Sequence, residues 1–500
     1  MAYTRAGVGC DVRVLGQLCT LVCALACGCT LLALDPDECS TSTQCRAAFG
    51  LGSVCNEDGS CSPPQTHPRC TRSWPEDLLD HPDDYADRVV LGSLFGFVDH
   101  ADTQRAAELA LRQVDAQGGL DGVRFAMLHC DTTAMAGDML DDVEGSAAAA
   151  KFLGETIGVP AIVGPRGSSR TQAAFEAVRG DDVLVISPSA TSPALTGLDV
   201  LDPTFQMPGL LWRTVPPDTL QSEVIAADMR MRGVMNVSAI YQVGAYGEGL
   251  AALFEDRFVG AGGAKVERHP FESGEFSSIL AEVADQLTAG TIDEVLFVSS
   301  DIADYVAMLT AATATDDLEA AFTAEGVGLF LADAAYSATL IDDTVDTSSA
   351  LFAKIRGTRP APAEGVLFNA FAAAYVAEFD VPADSSGFTP HSYDAAWLVL
   401  YGIARAHFDE VSIAGTGIAR GLRRISSGDA IDIEPSSWPA AVEHFRVGAS
   451  IDVQGASGPL DYDTDTEETT APIQLWAIQA DVEAPSGFAF VELDRIDPGG

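Results

Sequence analysis

Two hydroxyl-rich turns lie close together in the chain, each directly after a short apolar run. Gly167-Ser168-Ser169 follows Ala161–Val163, and Ser189-Ala190-Thr191 follows Val183–Ile186. Serine and threonine hydroxyls, with the N–H groups at a helix start, are suited to holding a carboxylate. Residues 161–196 contain no histidine that could activate a serine as a nucleophile. The two turns therefore predict recognition of a small ligand rather than catalysis.

The elements around these turns predict that they share one edge of a sheet. Both apolar runs are short and continuous, as in strands covered by helices on both faces, and Thr171–Val178 between them is predicted as a helix. This pattern is a βαβ unit. Open α/β sheets bind ligands beyond the carboxyl ends of neighbouring strands, so both turns are expected at one site.

The same alternation of strands and helices fills one lobe and then starts again after the proline-rich crossing Trp212–Pro217. The fold class predicted is α/β, with two Rossmann-like doubly wound lobes joined by a hinge and facing each other across a cleft. The expected domains are a signal or lipoprotein segment (1–29), a cysteine-rich spacer and linker (30–87), an N-terminal lobe (88–213 plus 350–450) and a second lobe (214–349 plus 451–496).

The composition excludes one class of partner. The formal net charge is −45, and the chain has three lysines. A surface this acidic repels phosphate backbones, so nucleic-acid binding is not expected. The hydrophobic fraction of 47% is that of an ordinary globular chain.

The N-terminus carries the pattern of an export signal. An apolar run, Val14–Leu34, follows Arg5 and Arg13, as in secretory signal segments. Cys29, or alternatively Cys27, is the predicted lipidation site, because both lie in sequences that loosely resemble a lipoprotein box. An uncleaved membrane anchor is the alternative. Either interpretation places the body outside the cytoplasm, in the periplasm or cell envelope.

Six cysteines then remain, an even number that suits three disulfides in an oxidising compartment. The candidates are Cys39, Cys45, Cys55, Cys61, Cys70 and Cys130. The segment that holds the first four is too small to bury a core of its own, so disulfides must stabilise it. A zinc site is the alternative, although no Cys-x2-Cys pair occurs.

Three further patterns resemble cofactor-binding or metal-binding motifs, but no cofactor or metal is predicted from any of them. The glycines of Gly244-x-x-Gly247-x-Gly249 are in the wrong order for a dinucleotide loop. Asp461-x-Asp463-x-Asp465 begins like a calcium loop but lacks its glycine and its last ligand. Among the histidines, His100 alone is expected near the cleft. No nucleophile elbow or zinc-protease motif occurs, so no enzymatic activity is predicted.

At this point the motifs resemble a known family, the type I periplasmic solute-binding proteins of the branched-chain amino-acid (Leu/Ile/Val) branch. The matching motifs extend in order over about residues 88–480. They are Arg105-Ala-Ala-Glu-Leu-Ala through Gly122, Ser168-Ser-Arg-Thr-Gln172, Ile186-Ser-Pro-Ser-Ala-Thr191, Arg213-Thr-Val, Tyr246-Gly-Glu-Gly249, Tyr393-Asp-Ala-Ala and Gly458-Pro-Leu-Asp461.

The resemblance implies ligand-binding residues for an amino acid or a related zwitterion. The family's contacts to the α-carboxylate and α-ammonium match Ser168, Ser189, Thr191 and Tyr246, with Ser169 and Ala190 in the same turns. An aromatic position of the family aligns with Asp99, or with Phe97 if the loop is shorter, and a second-lobe tyrosine of the family aligns near Asp301. An acidic ammonium partner aligns near Asp333. These additional carboxylates favour a more polar or cationic ligand than leucine.

The resemblance also bears on the disulfides and on the partners. Gly167 stands where the family has one cysteine of its N-lobe disulfide, so Cys130 is expected to pair with Cys70 instead. The predicted function is an extracytoplasmic solute-binding protein, monomeric and lipid-anchored to the membrane, that delivers its ligand to an ABC-type permease. The alternative is a ligand-sensing or assembly module on the same fold, and an enzyme is the third hypothesis.

Overall fold

The computed structural model describes residues 39–135, 137–272, 274–383, 386–409 and 411–498. The predicted signal segment, with the lipidation candidates Cys29 and Cys27, lies outside these described residues. Within the described ranges, no helix combines the length and the apolar character needed to cross a membrane.

A six-stranded sheet forms the first lobe. Its strands are β1 (Arg72–Trp74), β2 (Arg88–Leu94), β3 (Arg124–Cys130), β4 (Ala161–Val163), β5 (Leu184–Ser187) and β6 (Leu211–Arg213), paired in the order β1-β3-β2-β4-β5-β6. All neighbours are parallel except β1, which runs antiparallel along β3. The parallel pairing brings the ends of β4 and β5 to one edge, as the two hydroxyl turns predicted.

Helices cover both faces of this sheet because its central strands are apolar on both sides. The first helices along the chain are α1 (Ser42–Phe49), α2 (Ala101–Ala116), α3 (Asp142–Lys151) and α4 (Ser168–Val178), and a π-helical turn (Phe152–Ile157) continues α3. The apolar stripe of α2, formed by Ala106, Leu109, Ala110 and Val114, is buried in the core of the first lobe.

A seven-stranded sheet forms the second lobe and confirms the predicted pair of α/β lobes. Its strands are β7 (Asn236–Gln242), β8 (Lys265–Phe271), β9 (Glu294–Val298), β10 (Gly328–Leu331), β11 (Ile355–Pro360), β15 (Ile473–Ala480) and β16 (Phe488–Ile496), in the order β16-β15-β11-β10-β9-β7-β8. Its helices are α5 (Thr219–Met231), α6 (Ala245–Gly260), α7 (Ser277–Thr288), α8 (Ile302–Ala312), α9 (Asp316–Thr323) and α10 (Ala338–Phe352).

The chain then returns to the first lobe. The returning helices are α11 (Val366–Phe379), α12 (Thr389–Phe408), α13 (Gly415–Leu422) and α14 (Trp438–Arg446), with a small sheet of β12 (Asp429–Asp432), β13 (Ile451–Gly455) and β14 (Gly458–Pro459). Nearly the whole of α12 is buried, and it packs on α2. Three crossings, at residues 214–218, 361–365 and 463–472, join the lobes.

The lobe boundaries differ from those predicted. The strand β11 pairs with β10 and β15, so residues 350–360 belong to the second lobe and not to the first. The segment 451–462 packs in the core of the first lobe, through Ile451, Val453 and Leu460, rather than opening the second lobe. An apolar run shows that a strand is buried but not which sheet it joins, and this explains both errors.

The cysteine-rich segment is attached to the first lobe and is not a free spacer. All three predicted disulfides are present, and they are Cys39–Cys55, Cys45–Cys61 and Cys70–Cys130. Arg46 donates a hydrogen bond of 3.1 Å to the carbonyl of Thr156, and the rings of His67 and Phe152 lie 5.2 Å apart. The predicted linker 62–87 also contributes β1 to the sheet.

Two helices at the lobe interface begin earlier than the sequence predicted. The turn after β4 ends at Gly167, whose φ of 84° lies in the region that favours glycine, and Ser168 is already the first helical residue. Likewise α6 begins at Ala245 directly after Gly244, so Tyr246 lies in its first turn and not in a loop. Both shifts place helix N-termini at the cleft.

Candidate functional site

The two hydroxyl turns of the first lobe are joined by a network of short hydrogen bonds. The backbone N–H of Gly167 donates to Ser189 Oγ at 3.0 Å, and the N–H of Ser192 donates to Ser168 Oγ at 3.1 Å. Beneath them, Ser187 Oγ donates to the carbonyl of Pro165 at 2.7 Å. Because Ser168 Oγ accepts from the backbone, its own proton is free to be donated to a ligand.

The second turn is held from behind by Arg213, a buried residue at the end of β6. Its guanidinium donates to the carbonyls of Ala190 and Ser192 at 3.1 and 2.7 Å. It also forms an ion pair with Glu468 on the third crossing, where Arg213 Nε and Glu468 Oε2 lie 2.9 Å apart. Bidentate pairing of this kind fixes geometry as well as charge. The turn is therefore rigid where a ligand would contact it.

The second lobe contributes Tyr246 from α6 and Asp333 from the end of β10. Both side chains are buried, and the hydroxyl of Tyr246 donates to Asp333 Oδ1. The N–H of Ala334 donates to the same oxygen at 3.0 Å. Burial raises the pKa of Tyr246 well above its ordinary value, so its hydroxyl remains protonated. These residues face the hydroxyl turns across the interface.

The two lobes touch directly at one side of this site. The N–H of Ala245 donates to Ser169 Oγ at 3.0 Å, and Ser192 Oγ donates to the carbonyl of Ala245 at 2.6 Å. The N-terminus of α6 is thereby bonded to both hydroxyl turns. The structure shows the lobes in a closed arrangement.

A second buried carboxylate, Asp218, lies behind the cavity wall at the start of α5. Apart from the Thr191 hydroxyl, which lies close enough to lower the pKa of this carboxyl, neither Asp218 oxygen has a hydrogen-bond partner among the described residues. Burial raises the pKa of Asp218 well above its ordinary value, and the charge of Asp333 raises it further. Burial also raises the pKa of Asp333, against the lowering effect of the Tyr246 hydroxyl. The interface thus holds two acidic groups that favour a cation between them.

The predicted site residues separate into three groups. Five of them line a small inner cavity between the lobes, and they are Ser168, Ser189, Thr191, Tyr246 and Asp333. Asp99 and Asp301 line a wider outer cleft that continues from the inner cavity to solvent. Ser169 and Ala190 line neither, because Ser169 bonds α6 and Ala190 is buried against Arg213. The alternative to Asp99, Phe97, instead packs under Arg72.

Several lining residues had no strong signal in the sequence. The inner cavity is also lined by Arg166, Arg170, Ser300 and Phe388, together with His100, the one histidine expected near the cleft. Asp218 reads in the sequence as an ordinary helix start. Phe388 comes from a loop that lies more than 150 positions after the hydroxyl turns of the first lobe, so its approach to them depends on the fold alone.

The other motifs have structural explanations. A Cβ on Gly247 would lie 2.1 Å from the carbonyl of Gln242, so this glycine is required by helix packing and not by a phosphate. Asp463 Oδ1 accepts from the N–H groups of Asp465 and Thr466, which is a hydrogen-bonded turn rather than a cation loop. The sulfur atoms of Cys39, Cys45 and Cys55 lie close together, but disulfides occupy them, which contradicts the zinc alternative.

One constellation has the composition of a hydrolase triad. Ser93 Oγ and His129 Nδ1 lie 2.6 Å apart, and His129 Nε2 lies 3.1 Å from Glu108 Oε2. Ser93 and His129 are buried inside the first lobe, and neither of the two cavities described above includes them. The three residues form a buried polar network.

The family comparison adds an independent line of evidence. Residues 102–481 match the family described as "Receptor family ligand binding region". The chain belongs to this family. The match covers both lobes and all of the cavity residues from Arg166 to Phe388.

Named relatives in this family include amino-acid-binding proteins. The Leu/Ile/Val-binding protein of Citrobacter freundii is 28% identical over 201 residues, which is 39% of this chain and 50% of the relative. The leucine-, isoleucine-, valine-, threonine- and alanine-binding protein of Pseudomonas aeruginosa is 30% identical over 30% of this chain and 37% of the relative. The chain therefore spans half or less of the length of these two relatives.

Longer matches support the fold. The substrate-binding protein BasB of a chemotactic signal transduction system in Halobacterium salinarum is 24% identical over 77% of this chain and 84% of its own length. A leucine-binding protein from Thermotoga maritima superposes with a TM-score of 0.60 at 17% identity, covering 82% of this chain and 99% of that one. A solute-binding protein from R. palustris in complex with 4-hydroxybenzoate superposes with a TM-score of 0.59 at 14% identity, covering 82% and 97%.

We expect the Glu468→Gln variant to be markedly less stable than the wild type. It leaves the buried guanidinium of Arg213 without its charged partner, and breaking a buried pair costs about 3–5 kcal/mol. The matched control is Glu364→Gln, because Glu364 pairs with Arg495 at 3.3 Å while 69% exposed. An exposed pair contributes about 0–1 kcal/mol. Urea unfolding measures both, and equal losses in the two variants would contradict the role assigned to Arg213.

Proposed function

We propose that the protein is an extracytoplasmic solute-binding protein that holds an amino acid, or a related small zwitterion, between its two lobes. The observation that carries this proposal is the convergence of two chemically different walls on one cavity. The first lobe contributes the hydroxyls of Ser168 and Thr191, and the second contributes Tyr246 and Asp333. The amino-acid-binding relatives named above support the same class of ligand.

The carboxylate of the ligand is assigned to the first lobe. Ser168 lies at the N-terminus of α4, where backbone N–H groups and the helix dipole favour a negative charge. Its hydroxyl proton is free, and the Thr191 hydroxyl lies beside it in the cavity wall, with Asp218 behind. Hydroxyls oriented by their own backbone partners bind an anion without first having to reorganise.

The ammonium of the ligand is assigned to the acidic side of the cavity. Asp333 is oriented by Tyr246 and Ala334, and Asp218 lies behind Thr191 with no cationic partner at hydrogen-bond distance among the described residues. A buried charge without a partner costs several kcal/mol, whereas an ammonium between the two carboxylates compensates both. The face of Tyr246 also suits a cation.

Closure of the lobes follows because the ligand's carboxylate is bound by one wall of the cavity and its ammonium by the other. A ligand that contacts both walls binds the closed arrangement more tightly than an open one, and this difference in affinity drives closure. Delivery to an ABC-type permease is the proposed consequence, with the protein acting as a monomer.

We infer that export and a lipid anchor on Cys29, or on Cys27, place the protein at the membrane. The three disulfides support an oxidising compartment. Fatty-acid labelling in the native host is expected to disappear in the variant that lacks both cysteines, Cys27→Ser with Cys29→Ser. Unchanged labelling in that variant would contradict the anchor.

A sensing role is the second candidate, and one comparison favours it. The relative that matches over most of its own length, BasB, belongs by its name to a chemotactic signal transduction system. The same cavity and the same closure would then report the ligand to a signalling partner. Co-purification from native membranes distinguishes the two roles, since a permease is expected for transport and a transducer for sensing.

We expect calorimetry with a panel of amino acids to show binding to the wild type and weaker binding to cavity variants. Ser168→Ala and Asp333→Asn each remove a hydrogen bond to a charged group, which is expected to lower the affinity by about 10- to 100-fold. Ser238→Ala is the matched control, because Ser238 is equally buried but lies in β7 outside both cavities. Failure of every amino acid to bind the folded wild type would contradict the proposal.

Ligand binding is also expected to release protons and to weaken at low pH. Burial raises the pKa of Asp218 and of Asp333 in the empty site, and a ligand ammonium lowers both again. The complex therefore holds fewer protons than the free protein, so the affinity falls as the pH drops through the raised pKa values. Calorimetry in two buffers of different ionisation enthalpy measures the release. Equal enthalpies in both buffers, with an affinity that does not change with pH, would contradict the assigned ammonium site.

A further inference from the structure

Among the residues that the structure describes, one cation in the cleft has no hydrogen-bonded side-chain partner. Arg166, in the turn after β4, lines both the inner cavity and the outer cleft, and its side chain is 19% exposed. Its guanidinium carbon lies 5.0 Å from the ring centroid of Phe388. The closest carboxylate oxygen paired with it, Asp102 Oδ1, is 4.0 Å away. The guanidinium donates no hydrogen bond to any residue of the described ranges.

The two other arginines of the outer cleft are already engaged. Arg170 pairs with Asp142 at 3.2 Å. Arg359 donates to Gln474 Oε1 at 2.5 Å and lies over the ring of Tyr336, with 3.3 Å between the guanidinium carbon and the centroid. Arg166 is therefore the arginine of this cleft whose planar fork is available to bind a carboxylate in the bidentate geometry that arginine favours.

The carboxylates around Arg166 are also partly engaged. Asp102 accepts from the Thr389 hydroxyl at 3.0 Å, and Asp301 Oδ1 accepts from the N–H of Ala303 at 2.9 Å. Asp333 is bonded to Tyr246 on the far side of the cavity. The inner cavity thus has Asp333 on one side, with Asp218 behind its wall, and the guanidinium of Arg166 on the other, where Asp102 lies 4.0 Å away. A bound molecule meets both signs of charge.

A neutral histidine stands beside this arginine. Burial lowers the pKa of His100 to about 2, and the charges of Arg166 and Arg170 lower it in the same direction. The N–H of Gly96 donates to His100 Nδ1 at 3.4 Å, which assigns the ring proton to Nε2. His100 therefore offers a neutral N–H donor in the same cavity and does not titrate near neutral pH.

We propose that the ligand carries a second anionic group, which Arg166 binds, with His100 as an additional donor, so that the preferred ligand is an acidic amino acid or a zwitterion with an additional carboxylate. This rests on the proposed function, because the α-ammonium and α-carboxylate are assigned to the Asp333 side and the hydroxyl turns. The inference adds the chemical class of ligand that Arg166 selects. An aliphatic side chain in this position would leave the guanidinium enclosed in the closed cleft without a hydrogen-bond acceptor, and sites built in this way reject such analogues.

The test compares each acidic amino acid with its own amide, which has the same shape and no charge. Calorimetry of the wild type with glutamate, glutamine, aspartate and asparagine is expected to show that at least one acid binds about tenfold or more tightly than its amide. Arg166→Gln is expected to abolish this preference while retaining binding of the amide. Arg166→Lys, which keeps the charge but not the fork, is expected to retain part of the preference.

The control is Arg179→Gln, the same substitution at the residue that follows the last turn of α4. Arg179 donates to the carbonyl of Leu198 at 3.0 Å and lines neither cavity, so the acid preference is expected to remain. Equal affinities of acid and amide for the wild type would overturn the inference and leave the proposed function in place. An equal loss of both ligands in Arg166→Gln would also overturn it, since Arg166 would then bind the α-carboxylate. Failure of all amino acids to bind overturns both proposals.

Discussion

The arrangement of the whole molecule centres on acidic side chains enclosed between two lobes. Asp218 and Asp333 are buried, and burial raises the pKa of both carboxyl groups. The charge of Asp333 raises the pKa of Asp218 further, and the described part of the chain supplies no cation within hydrogen-bond distance of either. A buried carboxylate is tolerated when it is protonated or paired. In the proposed function a ligand ammonium supplies the missing charge, and a ligand that also reaches the hydroxyl turns of the first lobe contacts both walls only in the closed arrangement. Ligand binding and lobe closure are in this way one physical event.

The rest of the fold positions the wall that faces these carboxylates, which is formed by the two hydroxyl turns of the first lobe. Parallel pairing of β4 and β5 brings the two hydroxyl turns to one sheet edge. Arg213 holds the carbonyls of the second turn and is itself held by Glu468 on the third crossing. Arg213 and Glu468 therefore connect the third crossing to the second hydroxyl turn, so a movement of the lobes is transmitted to the site. The disulfide-bonded N-terminal segment packs on the opposite part of the first lobe, against the π-helical turn, and leaves the cleft open.

Much of this site could be predicted because its chemistry is local in the sequence. Ser168, Ser189 and Thr191 follow buried strands within a few residues, so their place at the sheet edge was predicted from the pattern, whereas Tyr246 and Asp333 were expected only from the resemblance to the family. Residues that approach from elsewhere could not be found in this way. Asp218 has the pattern of a helix start, and Arg166 that of a polar turn. The lobe boundaries failed for a related reason, since the pattern of β11 specifies a buried strand but not its neighbours.

The most direct test of the central claim is a crystal structure of the natively purified protein with its bound ligand. The account predicts density for one small molecule between the lobes, with a carboxylate at hydrogen-bond distance from the hydroxyls of Ser168 and Thr191. Its ammonium is expected at hydrogen-bond distance from Asp333, on the side of Asp218. Density for a ligand elsewhere, or an ammonium directed away from both carboxylates, would contradict the account.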